Sequence, residues 1–196
     1  MTKYDANDHY VCTKSGVLKN KLNITNPEEL NDAESTMTAF RSLHLKNKPI
    51  KGNFDLKHLQ AIHKYLFKEI YSWAGNIRNV DLAKSGSYFA NHVHIESAAN
   101  SLLENLHKET FTTLEHFVER AAYYLGELNA IHPFREGNGR AQREFINHLA
   151  YKHGYLINWA NVSQEEMLQA SVESFLLADH SKLYQIILNN TQPSKY

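Results

Sequence analysis

The chain has 196 residues, 42% hydrophobic and 21% charged, with Lys+Arg and Asp+Glu each at 21 and a formal net charge of zero. These values describe a globular body with one core and exclude a disordered chain; no apolar run approaches the length that spans a bilayer. Zero net charge gives no reason to expect nucleic acid or a membrane surface as partner. The polar N-terminus does not read as a secretory signal. The single Cys12 has no second thiol for a disulfide or a zinc knuckle, which favours a reducing cytoplasm.

In chain order, Asn26 followed by Pro27, Glu28 and Glu29 reads as a helix start, and the helix should run to about Lys46. Asp55 caps a second helix carrying Leu56, Leu59, Ile62, Tyr65, Leu66 and Ile70 at helical spacing, and this helix is expected to end near Trp73-Ala74-Gly75. The stretch from Arg78 to Ala90 reads as two short strands around a Lys84-Ser85-Gly86 turn. A further helix covers roughly Ile95 to His107. Thr112 with Glu115 reads as a capping box opening a long apolar helix that ends at Ile131, and another helix runs from about Gly139 to His153, stopped by Gly154. Ser163 with Glu166 forms a second capping box, and a last helix covers Lys182 to Leu188. The fold class is mainly α with one β-hairpin, in a single domain over 1–196 whose core spans about 18–190.

The break between the two most apolar helices is the informative feature. Helix interiors avoid Pro and Gly, yet His132, Pro133, Gly137 and Gly139 stand there together. A helix N-terminus presents unpaired N–H groups and partial positive charge, so it collects anions. Glycines at 137 and 139 leave room for a phosphate to approach those amides. Arg140 is poorly placed for its own helix dipole, which makes sense beside a bound anion, and Arg143 follows one turn later. Glu136 beside a polyphosphate is a natural Mg²⁺ ligand, and His132 can accept the proton of an attacking hydroxyl near neutral pH. Phe134 should point into the core and anchor the loop. Glycine loops joining helices are common and most arginines are ordinary surface cations. A base, a carboxylate, two glycines and two arginines within so short a stretch nevertheless favour a site for nucleotide chemistry with a hydroxyl nucleophile.

At these residues the sequence resembles the Fic family of nucleotide transferases. The signature His-x-Phe-x-(Asp/Glu)-Gly-Asn-Gly-Arg-x-x-Arg is met at every fixed position from His132 to Arg143, and the likeness extends to Trp73-Ala74-Gly75 followed by Arg78 and to the hairpin. The resemblance implies a Fic-type helical bundle with a β-hairpin flap over the active site. It implies that His132 deprotonates a target hydroxyl, that Glu136 holds Mg²⁺ between the α- and β-phosphates of ATP, and that Asn138 with the amides around Gly137 and Gly139 forms an anion hole. Arg140 and Arg143 would hold the β- and γ-phosphates while AMP is transferred and pyrophosphate released. Doc-like kinases carry Lys at the position of Gly139, so AMP transfer is favoured here over phosphorylation; a different nucleotide donor is an open alternative. The flap residues Lys84, Ser85, Gly86, Ser87, Tyr88 and Phe89 would register an extended target segment by strand addition.

The family's inhibitory hexamer, (Ser/Thr)-x-x-x-Glu-(Gly/Asn), is absent from the sequence; the nearest C-terminal candidate, Ser181 to Ile186, has Gln185 in place of Glu. The resemblance therefore implies a chain that is either unrestrained or controlled in trans by a small antitoxin. The targets it implies are proteins presenting a Tyr, Ser or Thr hydroxyl, either topoisomerase subunits or host proteins, in the cytoplasm or in a host cell after delivery. Two competing readings remain at this level: a catalytically idle Fic-fold domain that binds targets through its flap, and a nucleotide hydrolase.

Overall fold

Helix starts follow from local chemistry. Asn26 accepts the N–H groups of Glu28 and Glu29 at 2.8 and 3.2 Å, and Pro27 opens α1 (Pro27–Asn47). Asp55 accepts from His58 N at 2.8 Å to start α2 (Leu56–Phe67). The remaining helices of the computed structural model, which describes residues 8–84 and 87–194, are α3 (Ile95–Leu106), α4 (Leu114–Ile131), α5 (Asn138–Lys152), α6 (Gln164–Leu177) and α7 (Ser181–Asn190). The strands β1 (Ala83–Lys84) and β2 (Ser87–Tyr88) pair antiparallel, as do β3 (Tyr155–Ile157) and β4 (Thr191–Pro193).

The α4 helix is the central strut. It packs against α3, α5, α6 and α7, while α2 joins α1, α3 and α5. Phe117, Val118, Ala121, Ala122, Tyr124 and Leu128 of α4 are fully buried and belong to one core with Phe145 and Ile146 of α5 and the apolar stripe Leu59, Ile62 and Leu66 of α2. Each such large side chain contributes about 1.5–3 kcal/mol by leaving water.

Three local expectations are corrected. The α2 helix ends at Phe67, short of Trp73, because Ile70 N and Tyr71 N both turn back onto Phe67 O; Gly75 at φ +88° then closes the Trp73–Asn76 turn. Ile70 keeps helical spacing only because that turn returns it to the same core. The α4 cap is Thr113, whose Oγ accepts from His116 N at 3.1 Å, so Glu115 sits inside the first turn without completing a box with Thr112. The expected hairpin of two short strands within Arg78–Ala90 is present, each strand two residues long. The β3–β4 ladder is a second small sheet. It forms where the α5 end, turned by Gly154 at φ +81°, meets the α7 end through Asn158 N–Asn190 O at 2.8 Å.

The N-terminal stretch also joins the body. Tyr10 is buried edge-on against Trp73, with ring centroids 5.4 Å apart, and its hydroxyl meets Asn79 at 3.0 Å. Asp8 forms a buried ion pair with Arg135 at 2.5 Å.

Histidines clasp the α1–α2 loop. His58 accepts Phe54 N at 3.2 Å and donates to Ile50 O at 3.0 Å; His148 accepts Ile50 N at 3.0 Å and donates to Glu144 O at 2.7 Å. Both arrangements require neutral imidazoles, and burial lowers both pKa values, that of His148 from 6.5 to about 4. A basic group depressed in the folded state contributes stability that is complete above pH 6.5 and is lost as pH falls towards 4, on the order of 3 kcal/mol for His148. Urea midpoints should therefore hold steady above pH 6.5 and fall below it, with a shallower fall in His148→Gln. Parallel curves for the two proteins would contradict the clasp.

Candidate active site

The α4 helix stops at His132 because this residue takes a left-handed conformation, φ +51°, and Pro133 cannot continue the helix. That conformation costs a non-glycine residue roughly 1–2 kcal/mol, so other contacts must hold it. They come from Arg78, whose guanidinium donates to His132 O at 2.8 Å, Ile131 O at 3.3 Å, Val80 O at 2.6 Å and Ala90 O at 2.6 Å. A cation at a helix C-terminus is favoured by the dipole. Burial lowers the pKa of Arg78 to about 10, with Asp81 opposing the shift, so it stays charged at neutral pH. His132 Nδ1 lies 3.1 Å from Asn129 O and, as the nitrogen facing a carbonyl, is the donor. The lone pair of the neutral ring is therefore on Nε2, as a general base requires.

The loop that follows is braced from beneath. Phe134 is fully buried and stacks on His63 with centroids 3.9 Å apart. His63 accepts Gly75 N at 2.8 Å and donates to Glu136 O at 2.9 Å; burial lowers its pKa to about 4, fixing the neutral form. The Asn138 side chain closes the loop on itself, accepting Phe134 N at 2.8 Å and donating to Phe134 O at 2.6 Å. Its amide is thus used in bracing, and what Asn138 can offer an anion is its backbone N–H.

At the start of α5 the two glycines differ. Gly137 has φ +81°, and a Cβ there would sit 2.3 Å from the Phe67 ring. Gly139 is helical, and a Cβ there would meet only Arg143 Nη1, at 3.4 Å. Packing explains the first glycine and not the second. No side chain caps the α5 N-terminus among the described residues, so its first N–H groups point outward beside the arginines.

The arginines also differ. Arg140 sits 2.5 Å from Glu34 of α1, 3.6 Å from Glu136, and 4.7 Å above the Phe67 ring. Glu34 is buried and also accepts the Tyr71 hydroxyl. Arg143 has no ion pair among the described residues, and burial followed by the nearby Arg140 lowers its pKa. Glu136 Oε1 accepts Gly137 N at 2.9 Å. As a single carboxylate it suits Mg²⁺, which takes one or two carboxylates and completes its shell with phosphate oxygens and water.

Of the flap residues, Ser85 and Gly86 lie outside the described residues. Lys84 and Ser87 pair in the ladder, Tyr88 is 78% exposed, and Phe89 stacks on His132. The flap base is pinned by Asp81, which accepts His92 N at 2.8 Å and Asn91 Nδ2 at 2.9 Å. A cavity of about 760 Å³ lies away from this region, between Pro49, Phe54, Phe111 and Lys152, and contains no motif residue. Sequence reading missed Glu34, His63, Tyr71 and the work of Arg78. A signal existed for two of them, since Glu34 and His63 are polar residues on the buried stripes of α1 and α2.

Substituting each glycine separates the two roles. Gly137→Ala should destabilise the fold by about 2 kcal/mol or more through strain and overpacking. Gly139→Ala should melt at or above the parent temperature, since Ala is preferred within helices. Equal losses in a thermal melt would contradict the assignment.

Known proteins resemble this chain in sequence and in fold. The Fic/DOC family matches residues 53–150. The protein adenylyltransferase VbhT of Bartonella schoenbuchensis is 45% identical over 179 residues, 89% of this chain, although the chain spans only 37% of that protein's length. The Fic protein of Escherichia coli K12 is 35% identical, covering 93% of this chain and 91% of its own. The N-terminal Fic domain of a VirB-translocated Bep effector from Bartonella quintana, solved with bound ADP, superposes with a TM-score of 0.87 at 28% identity over 95% of both chains. With a family match over residues 53–150 and a relative 35% identical over nearly the whole of both chains, the chain belongs to the Fic/DOC family.

Proposed function

We propose that this protein is an adenylyltransferase that moves AMP from ATP to a hydroxyl side chain of a target protein. The observation that carries the reading is the His132 tautomer: Nδ1 faces Asn129 O, which puts the ring's lone pair on Nε2, in the loop that leads to a helix start without a side-chain cap among the described residues and to Arg143 within that helix. A base beside a polyphosphate receptor is what in-line attack by a hydroxyl needs.

In the reaction, His132 Nε2 takes the proton of the target hydroxyl as its oxygen attacks the α-phosphorus. The bond from the α-phosphorus to the bridging oxygen breaks, and pyrophosphate leaves. The α5 amides and Arg143 hold the phosphates, and Arg140, steadied by Glu34, adds charge at the β-phosphate. Glu136 would hold Mg²⁺, which when bound neutralises the developing phosphate charge. The flap would register the acceptor segment by pairing with it. The partners that fit are a protein presenting Tyr, Ser or Thr and a small antitoxin that places a carboxylate on Arg143. The exposed Gln185 on α7, which packs against α4 and α6, does not serve that purpose. The setting is the cytoplasm of the producing cell or of a host.

The test is incubation with cell lysate and ATP labelled at either the α- or the γ-phosphate. Protein should acquire label from the α-position only. Label from the γ-position would indicate a kinase, and free AMP without labelled protein a hydrolase. His132→Ala should lose 10²–10⁴-fold in rate while keeping nucleotide affinity, and activity within roughly threefold of the parent would refute the base assignment. Glu136→Gln should weaken Mg²⁺·ATP binding and transfer together, and full activity in EDTA would remove Glu136 from the metal role.

A further inference from the structure

General-base chemistry needs the His132 ring held in one plane, not only at one place. The Nδ1 contact to Asn129 O fixes one edge of the ring, and a single hydrogen bond does not by itself set a ring's plane. A planar restraint comes from the flap. The Phe89 ring lies face to face with the imidazole, centroids 3.8 Å apart and planes 15° from parallel. Phe175 of α6 touches Phe89 in turn, with centroids 5.4 Å apart. The backbone around Phe89 is anchored on both sides: Phe89 N donates to Leu82 O at 3.1 Å, and Ala90 N donates to Ala130 O at 3.2 Å. The Arg78 guanidinium that holds Ala90 O also holds His132 O. Ring and imidazole therefore hang from one frame.

We infer that Phe89 is a positioning residue, a flat wall that sets the plane of the His132 imidazole for accepting the hydroxyl proton and ties the seating of the flap to the readiness of the base. The inference rests on the reading of His132 as general base. Strand addition to the flap and alignment of the base are then coupled, because a shift of the hairpin that lifts Phe89 also takes the flat wall away from the imidazole. An aliphatic side chain fills part of the space without offering a flat face, so it cannot hold the plane as the aromatic ring does.

The test uses the full chain with α-labelled ATP and host lysate, varying ATP at saturating lysate. Phe89→Leu should lower the maximal rate roughly tenfold to a hundredfold, as small misplacements of reacting groups do, while leaving the KM for ATP unchanged. Phe89→Tyr, which keeps the flat ring, should restore the rate to within about threefold of the parent. In NMR spectra the imidazole protons of His132, assigned with His132→Asn, should carry a ring-current shift that disappears in Phe89→Leu and returns in Phe89→Tyr. An unaffected maximal rate in Phe89→Leu, a loss seen only as raised KM, or a failure of Tyr to restore the rate would overturn the inference alone. No labelling by the parent protein would overturn the adenylyltransferase reading and this inference with it.

Discussion

A single buried guanidinium joins the two halves of the site. Arg78 is 2% exposed, and its donors reach the carbonyls that end α4, at Ile131 and His132, as well as those on either side of the flap, at Val80 and Ala90. Charged groups seldom sit so deep unless they are fully hydrogen-bonded, and here backbone oxygens supply that bonding, with the Asp81 carboxylate 4.0 Å away. The left-handed turn at His132, the closing of α4 and the placement of the hairpin all depend on this cation. Lysine could not replace it, because one ammonium cannot reach four carbonyls spread around a planar fork.

Beneath that cation, neutral histidines do the structural work that charged groups do at the surface. His63 holds the turn at Gly75 and the motif loop at Glu136 with its two ring nitrogens, and His58 and His148 do the same for the α1–α2 loop. Each donates with one nitrogen and accepts with the other, so these contacts brace the loops without adding a buried charge. The charges that remain near the motif are divided by partner. Arg140 is neutralised by Glu34 and Glu136, whereas Arg143 has no paired carboxylate among the described residues. In the proposed function the first arginine would shape the receptor and the second would meet the ligand.

How much of this was legible in the sequence depends on the range of the interaction. The caps at Asn26, Asp55 and Ser163 and the helical periods of α2 and α4 involve residues within a turn of each other, and they place the helices to within a few residues. The motif was readable because base, carboxylate, glycines and arginines lie together in the chain. Contacts across the fold were not readable: Glu34 to Arg140, His63 to Glu136 and the three-residue β3–β4 pairing each join distant segments, and strands that short carry no period. Asn138 shows the limit of reading roles from a signature. Both ends of its amide return to Phe134, a loop closure that spacing alone does not distinguish from phosphate binding.

The central claim is that the loop and the α5 N-terminus form a receptor that presents the α-phosphorus, and no other, to His132. A crystal structure of the protein with Mg²⁺ and a non-hydrolysable ATP analogue tests it most directly. The account predicts the α-phosphorus nearest His132 Nε2 and the γ-phosphate on Arg143. A nucleotide bound in the opposite direction, with its γ-phosphorus facing His132 and its base towards Arg143, would contradict it.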